Sequence, residues 1–250
     1  ESWAENIWFP PSVPAKGFWT GYPLWDQYIN EESKEKWGIF KFDPDAAVQT
    51  LLDAGYTKEG DKILRPDGTQ LSFETGTRIA VGGNEYLFAQ SFVEECQKIG
   101  IDTLLKYYEG PIWEDKVRKG DWDLGFWWLC GASVDPIELY QDKVCERAVP
   151  IGEEATRGNS QRLCFPRLDA IVEQLQVMAV DDPKALDLYL EAFDAFCESP
   201  AGVPLVETYY TFGMGTKYWD NMPTQDNLYT DPANWHGPIM FIAFNVTPKA

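Results

Sequence analysis

From Phe42 to Leu129 the apolar positions switch between helical and strand spacing, and short polar stretches mark each switch. Val48, Leu51 and Leu52 share one helical face behind Asp43-Pro44. Asp43 is suited to cap free N–H groups, Pro44 to a first-turn position that needs no donor, and Gly55 to the left-handed stop. Arg65-Pro66-Asp67-Gly68 predicts a turn between two apolar runs. Leu71–Thr75 and Arg78–Val81 read as strand. Residues 84–99 read as a helix with Phe88, Phe92, Cys96 and Ile99 on one face and Gly100 as its stop. Ile101, Thr103 and Leu105 alternate as in a half-buried strand, Pro111–Lys119 predicts a short helix, and Asp121–Leu129 an aromatic strand. Strand–helix–strand order predicts an α/β fold with helices packed on a sheet.

Residues 1–41 are rich in Pro, Gly and aromatics, including Trp8-Phe9-Pro10-Pro11, Phe18-Trp19 and Trp25. They predict an ordered, irregular segment lying across a domain surface, because so many rings would not stay in water. Residues 141–163 predict a long polar loop. Helices are expected over Arg167–Val180 and, capped by Asp182, over residues 183–198, with Leu186, Leu190, Phe193, Phe196 and Cys197 as the buried stripe. Pro204–Phe212 reads as a further strand. No internal repeat or low-complexity linker divides the chain.

Composition narrows the partners. A chain of 250 residues can bury a substantial core, and a formal net charge of −19 opposes nucleic acid or an anionic membrane as partner. No run approaches the roughly 20 apolar residues that span a bilayer. The start at Glu1, with neither Met nor an apolar leader, predicts a processed chain or a piece of a longer one. Of five cysteines none forms a CxxC pair, and His236 is the sole histidine, so no zinc site and no cofactor are expected. Cys145 and Cys164 flank a Gly/Pro/charge-rich loop where one bridge would close about 20 residues. Cys96 sits on a helix's apolar stripe and reads as a small buried hydrophobe.

Residues 42–47, Phe-Asp-Pro-Asp-Ala-Ala, together with Leu51-Leu52-Asp53-Ala54-Gly55-Tyr56, resemble a signature of family 5 extracellular solute-binding proteins. Asp67-Gly68-Thr69, Gln97-Lys98-Ile99-Gly100-Ile101-Asp102 and Lys119-Gly120-Asp121-Trp122-Asp123 follow in that family's order. So do Asp135-Pro136, Asp181-Asp182-Pro183-Lys184 and Val203-Pro204-Leu205. The family comprises substrate receptors of ABC importers for peptides, nickel and oligosaccharides. The resemblance covers nearly the whole chain but only the C-terminal part of such a receptor. It implies a periplasmic-binding-protein type II-like lobe with a mixed sheet, flanking helices and long irregular segments. It also implies a crossover from a missing N-terminal lobe over 1–41, the ligand-binding lobe over 42–215, and a tail over 216–250 returning towards that lobe. The expected protein is an extracytoplasmic monomer, with a lipid anchor as one option for its full-length form, that hands a small solute to an ABC permease.

In peptide-binding members an aspartate after the strand matching Asp121–Leu129 holds the ligand's α-amino group. Here that position falls on Gly131 or Ala132, a departure that weakens the peptide reading. Tyr218-Trp219-Asp220-Asn221-Met222-Pro223-Thr224, with Asn227 and Trp235, is similar to the tail of oligosaccharide-binding members. Sugars present apolar C–H faces edged by hydroxyls, so flat aromatics and carboxylate or amide groups bind them. The stacking candidates are Trp127, Trp128, Tyr209, Tyr210 and Trp235, and the polar candidates are Asp135, Glu207 and Asn221. Each has an ordinary alternative. The aromatics would serve as core or inter-lobe packing, Asp135 as a helix cap, and Glu207 as a solvent-facing strand residue. Trp127 and Trp128 are neighbours in a strand, so only one of them can face a ligand. The competing functions are an oligopeptide receptor, a glycoside-active enzyme with a carboxylate pair, and a scaffold for a protein partner. No GxSxG elbow, phosphate loop or His-based relay supports the enzyme.

Overall fold

The computed structural model describes residues 6–7, 12–18, 23–127, 136–155, 158–179, 182–198, 200, 202–208, 213–224, 226–227, 229–230 and 236–249. Asp43 accepts from the backbone N–H of Ala46 at 3.0 Å and opens a helix over Pro44–Asp53 (α2), which Gly55 closes at φ 90°. The Val48, Leu51 and Leu52 face is only half-buried, so this helix lies on the surface. Thr57–Glu59 (β2) and Lys62–Leu64 (β3) form a hairpin, and the Arg65–Thr69 turn leads into Ser72–Thr77 (β4).

From β4 the chain alternates as its pattern demands. Asn84–Ile99 (α3) is stopped by Gly100 at φ 98°, and Asp102–Tyr107 (β5) returns parallel to β4. Gly110–Lys119 (α4) is stopped by Gly120, and Leu124–Gly125 (β6) pairs with β4 on its other edge. The three-stranded parallel sheet therefore has the order β5-β4-β6. The hydroxyls of Thr75 and Thr103 share a hydrogen bond of 2.9 Å inside it, which lets two polar side chains stay buried. Phe88, Ala89 and Phe126 form the core on this sheet.

Two expected strands are shorter than their apolar content suggests. Arg78–Val81 is not strand, because β5 ends opposite Thr77 and β6 opposite Gly76, so nothing remains to pair with. The same limit confines the strand expected over Asp121–Leu129 to Leu124–Gly125 among the described residues.

A second core gathers around Ile137–Tyr140 (α5), Pro166–Leu175 (α6) and Pro183–Glu198 (α7), the last started by Asp182 accepting from the Lys184 N–H at 2.8 Å. The α7 stripe keeps Phe193, Phe196 and Cys197 as expected, but its first half runs through Ala185 and Tyr189 rather than Leu186. Ala185, Tyr189, Ala192, Phe193, Phe196 and Cys197 are buried, and Leu186 is 36% exposed. The small alanines admit close neighbours, and Tyr189 meets Tyr28 at 4.7 Å between ring centroids. The helix at α6 stops short of Val180, tightening through i→i+3 bonds at Val177 and Met178.

The described part of the first 41 residues is more regular than composition suggests. Ser12–Pro14 (β1) pairs antiparallel with Val206–Thr208 (β7), Pro23–Tyr28 is a 3₁₀ turn, and Glu31–Trp37 (α1) packs on α7. Phe18 is buried against Phe193 and Phe196, with centroids at 5.1 and 4.7 Å. Local pattern could not reveal this, since the partners lie about 175–195 residues away in sequence.

Asp194 ties α1, α6 and α7 together. It accepts from Ser33 Oγ at 2.8 Å, Trp37 Nε1 at 2.9 Å and Arg167 Nη1 at 2.8 Å. Burial opposes its ionisation, but these three bonds and the Lys36 charge outweigh burial and hold the carboxyl at about 2. The unfolded value lies near 3.9, so this stabilisation is complete above about pH 4–5 and fades as pH falls towards 2. Asp194→Asn is expected to cost about 1–3 kcal/mol at neutral pH, and to flatten the loss of melting temperature between pH 5 and about 2. Thermal unfolding across that range checks it.

Cys145 and Cys164 are joined in a disulfide. Within the loop it closes, Asn159 is fully buried and bonds both backbone groups of Leu163. Lys143 is also buried; burial pushes its amine down to about 8, against the opposing Asp142 charge. The Cys96 and Cys197 thiols are buried, which pushes them up to about 11 and about 12. The tail carries Trp219–Asp220 (β8) paired with Thr247–Pro248 (β9), and a helix over His236–Asn245 (α8).

Candidate functional site

Strand order places a crevice. The β4–α3–β5 connection moves to one side of β4, and β5–α4–β6 crosses back to the other. This strand order puts a switch point beside the neighbouring carboxyl ends of β4 and β6, and such a point is where open parallel sheets take ligands. The segment leaving β4 carries Arg78 and Val81, the one leaving β6 carries Trp127, and the N-terminal half of α4 carries Ile112, Trp113 and Glu114.

This edge is strongly aromatic and partly open. Val81, Tyr107, Ile112 and Trp127 are all exposed, Trp127 to 40%. Beneath them Trp113 is buried, because Gly76 on β4 and Gly125 on β6 leave room for its six-membered ring. Tyr108, Trp113 and Trp127 form a ladder with centroid spacings of 5.8 and 6.5 Å.

Charged groups brace the ladder. The Arg78 guanidinium lies over the Trp127 ring, 4.2 Å from its centroid, a geometry worth about 0.5–2 kcal/mol. Its Nε stands 3.8 Å from Glu85 and its Nη1 3.8 Å from Glu114. Burial raises the Glu85 carboxyl, while the neighbouring Arg78 charge pulls the other way. On the far side Tyr108 donates to Glu74, which also pairs with Lys106 at 3.2 Å. Lys116 is held protonated first by its hydrogen bond to Asp121.

Of the sequence candidates, Trp127 lies in this crevice. Trp128, Asp135, Tyr209, Tyr210 and Trp235 fall outside the described residues. Glu207 sits on β7 opposite Val13, and its carboxylate accepts from the Lys16 backbone N–H at 2.8 Å. Asn221, at φ 61°, is spent on the tail: it donates to the Asn245 carbonyl at 2.7 Å and accepts from Asn227 at 2.9 Å. Arg78, Glu85 and Glu114 escaped sequence reading, because only the strand order brings α3, α4 and the β6 end together. Another concavity, of about 390 Å³, lies between α1, α6 and α7, but Lys36 and Arg167 on its wall pair with its own Asp194 and Glu191. Among the described residues no group of His, Cys, Asp and Glu is arranged to hold a metal, and no helix is long and apolar enough to cross a membrane.

A family model described as "Bacterial extracellular solute-binding proteins, family 5 Middle" matches residues 1–145, and so spans the whole crevice from Arg78 to Trp127. The chain belongs to family 5 of the bacterial extracellular solute-binding proteins. Solved structures agree on the fold of this family 5 protein. One is the mannohexaose-bound periplasmic oligopeptide-binding protein of an oligopeptide ABC transporter from Thermotoga maritima, with TM-score 0.79 and 21% identity. That match covers 99% of this chain and 47% of the other. The oligopeptide-binding protein AppA from Bacillus subtilis, in complex with a nonapeptide, gives TM-score 0.62 and 18% identity over 83% of this chain and 39% of that one. NikA from Brucella suis, in complex with Fe(III)-EDTA, gives 0.58 and 21% over 85% and 42%. The family 5 chain thus has the α/β fold of type II periplasmic binding proteins, and it spans less than half the length of these relatives. No curated protein matches it.

Proposed function

We propose that this chain forms one wall of a two-lobed receptor that captures an extracellular oligosaccharide and delivers it to the permease of an ABC importer. The observation that carries the reading is Trp127, a braced and partly open indole at the switch point of a parallel sheet. A pyranose ring stacking its C–H face on that indole buries apolar surface on both partners, and hydroxyls at the ring's edge reach the surrounding polar groups. The sugar-bound Thermotoga relative supports the choice of ligand. Closure of a second lobe over the crevice would bury the ligand and shift an open–closed equilibrium, and the permease would recognise the closed form.

In this reading residues 42–215 are the ligand-binding lobe, residues 1–41 the crossover and residues 216–250 the returning tail. The apolar surface of α8 supports the last assignment. Ile239, Met240, Phe241 and Phe244 are exposed, and a helix this apolar is normally covered. Oligopeptide capture is the second reading, favoured by the nonapeptide-bound Bacillus relative.

Calorimetry against mannohexaose, cello-oligosaccharides, a nonapeptide and nickel tests the assignment. Saturable oligosaccharide binding without turnover is expected, weakened about tenfold or more by Trp127→Ala, equivalent to about 1.4 kcal/mol. Binding by this chain alone is expected to be far weaker than by the two-lobed protein, because the opposite wall and its desolvation are absent. Peptide binding indifferent to Trp127, or release of shortened sugars, would overturn the reading.

A further inference from the structure

We propose that Arg78 is a positioning residue that holds the Trp127 indole as a one-faced platform. The proposal rests on the oligosaccharide reading above for its ligand, and on the crevice geometry for the rest.

Trp127 follows β6 by two residues, where the strand ladder no longer fixes the backbone. A partly exposed indole at such a place has rotamer freedom to lose when a ligand binds. The surroundings remove that freedom beforehand. The guanidinium covers one face at 4.2 Å, and Trp113 stands at 6.5 Å with its plane tilted by 30°. Arg78 itself cannot swing away easily. Its side chain is 17% exposed and stands between Glu85 at the start of α3 and Glu114 in the N-terminal half of α4, each at 3.8 Å. Three elements are thereby tied to one ring. The clamp occupies one face of the indole, and the remaining surface of this 40% exposed ring is assigned to the sugar.

The choice of arginine follows from the double task. A planar guanidinium can lie over an indole while its edge still reaches two carboxylates, whereas an ammonium is a compact point charge that covers less of the ring while it serves them. Arg78→Lys therefore separates ring coverage from charge pairing, and Arg78→Met removes both.

The test uses the chain labelled at its indole nitrogens, with the Trp127 resonance assigned by its loss in Trp127→Phe. In the free protein that resonance is expected to be narrow and restricted in motion. In Arg78→Lys it should broaden or lose order while the melting temperature stays near wild type. In Arg78→Met it should loosen further, with a lower melting temperature because Glu85 is left unpaired. Mannohexaose affinity should fall about fivefold in Arg78→Lys, and the same substitution should have no effect in a Trp127→Ala background. An unchanged Trp127 resonance in both Arg78 variants overturns the proposal. So does an equal affinity loss in the Trp127→Ala background, which would mean that Arg78 touches the sugar directly. A chain that binds no oligosaccharide, yet loosens its indole in Arg78→Lys, contradicts the ligand reading and supports the positioning role.

Discussion

Replacing Trp113 by alanine is expected to lower stability by about 3–5 kcal/mol, the largest effect of any single truncation on the crevice side of the molecule. The ring is 1% exposed and lies under the carboxyl ends of β4 and β6, so its loss leaves a void that the surrounding strands cannot fill without giving up their pairing. The fit is tight from the strand side as well. A methyl group on Gly76 would stand 2.2 Å from Trp113 Cζ3, and one on Gly125 would stand 2.5 Å from Cζ2. Gly76→Ala should therefore cost about 1–3 kcal/mol or more through overpacking. Combining Gly76→Ala with Trp113→Leu should recover part of that loss, because the clash and the void are in the same place. Urea unfolding of the two single variants and the double variant measures the coupling. Additive costs would mean that Trp113 and Gly76 do not share one slot.

Removal of the Cys145–Cys164 bridge is expected to cost about 3 kcal/mol, seen as a fall in melting temperature of roughly 6–12 °C with reductant or in Cys145→Ser/Cys164→Ser. The bridged residues are 19 apart, and the loop between them has little apolar anchorage of its own. It is held by polar contacts to the end of α4: Arg162, at φ 57°, donates to the Arg118 carbonyl at 2.7 Å, and the Ala155 N–H donates to the same carbonyl at 2.8 Å. Gly152 N–H bonds the Lys119 carbonyl at 2.7 Å. Polar contacts of this kind hold only while the loop's conformational freedom is already restricted, which is what the bridge supplies. The opposite end of the same helix carries Trp113 and Glu114, so loosening at the loop should also be felt at the crevice. An unchanged melting temperature under reductant would show that the polar contacts suffice.

Local chemistry was legible in the sequence wherever neighbours in the chain decide the outcome. Asp43-Pro44 and Gly55, Gly100 and Gly120, and the Cys145/Cys164 spacing all concern contacts across a few residues or a single loop. A helix face is less legible where distant segments cover it. Leu186 looked apolar enough for the core, but the neighbours that cover α7 come from Tyr28 and α1, and they select the Ala185–Tyr189–Ala192 side. Phe18 belongs to that core for the same long-range reason. Strand lengths at Arg78–Val81 and after Gly125 were overestimated because pairing partners, not apolar content, end a strand. Trp127 could be singled out by its aromatic setting. Arg78, Glu85 and Glu114 could not, since the rule that assembles them needs the order of strands in space.

Resonance mapping of the chain with mannohexaose tests most directly whether the sheet's carboxyl edge is the ligand-binding wall. A lone wall should bind on the order of millimolar, a range suited to titration in fast exchange. The account predicts saturable shifts at residues 78–83, 111–114 and 126–127, with the Trp127 indole moving most. Shifts confined to Asn30, Ser33, Lys36 and Asp187 around the charged concavity, with the Trp127 indole unmoved, would contradict it.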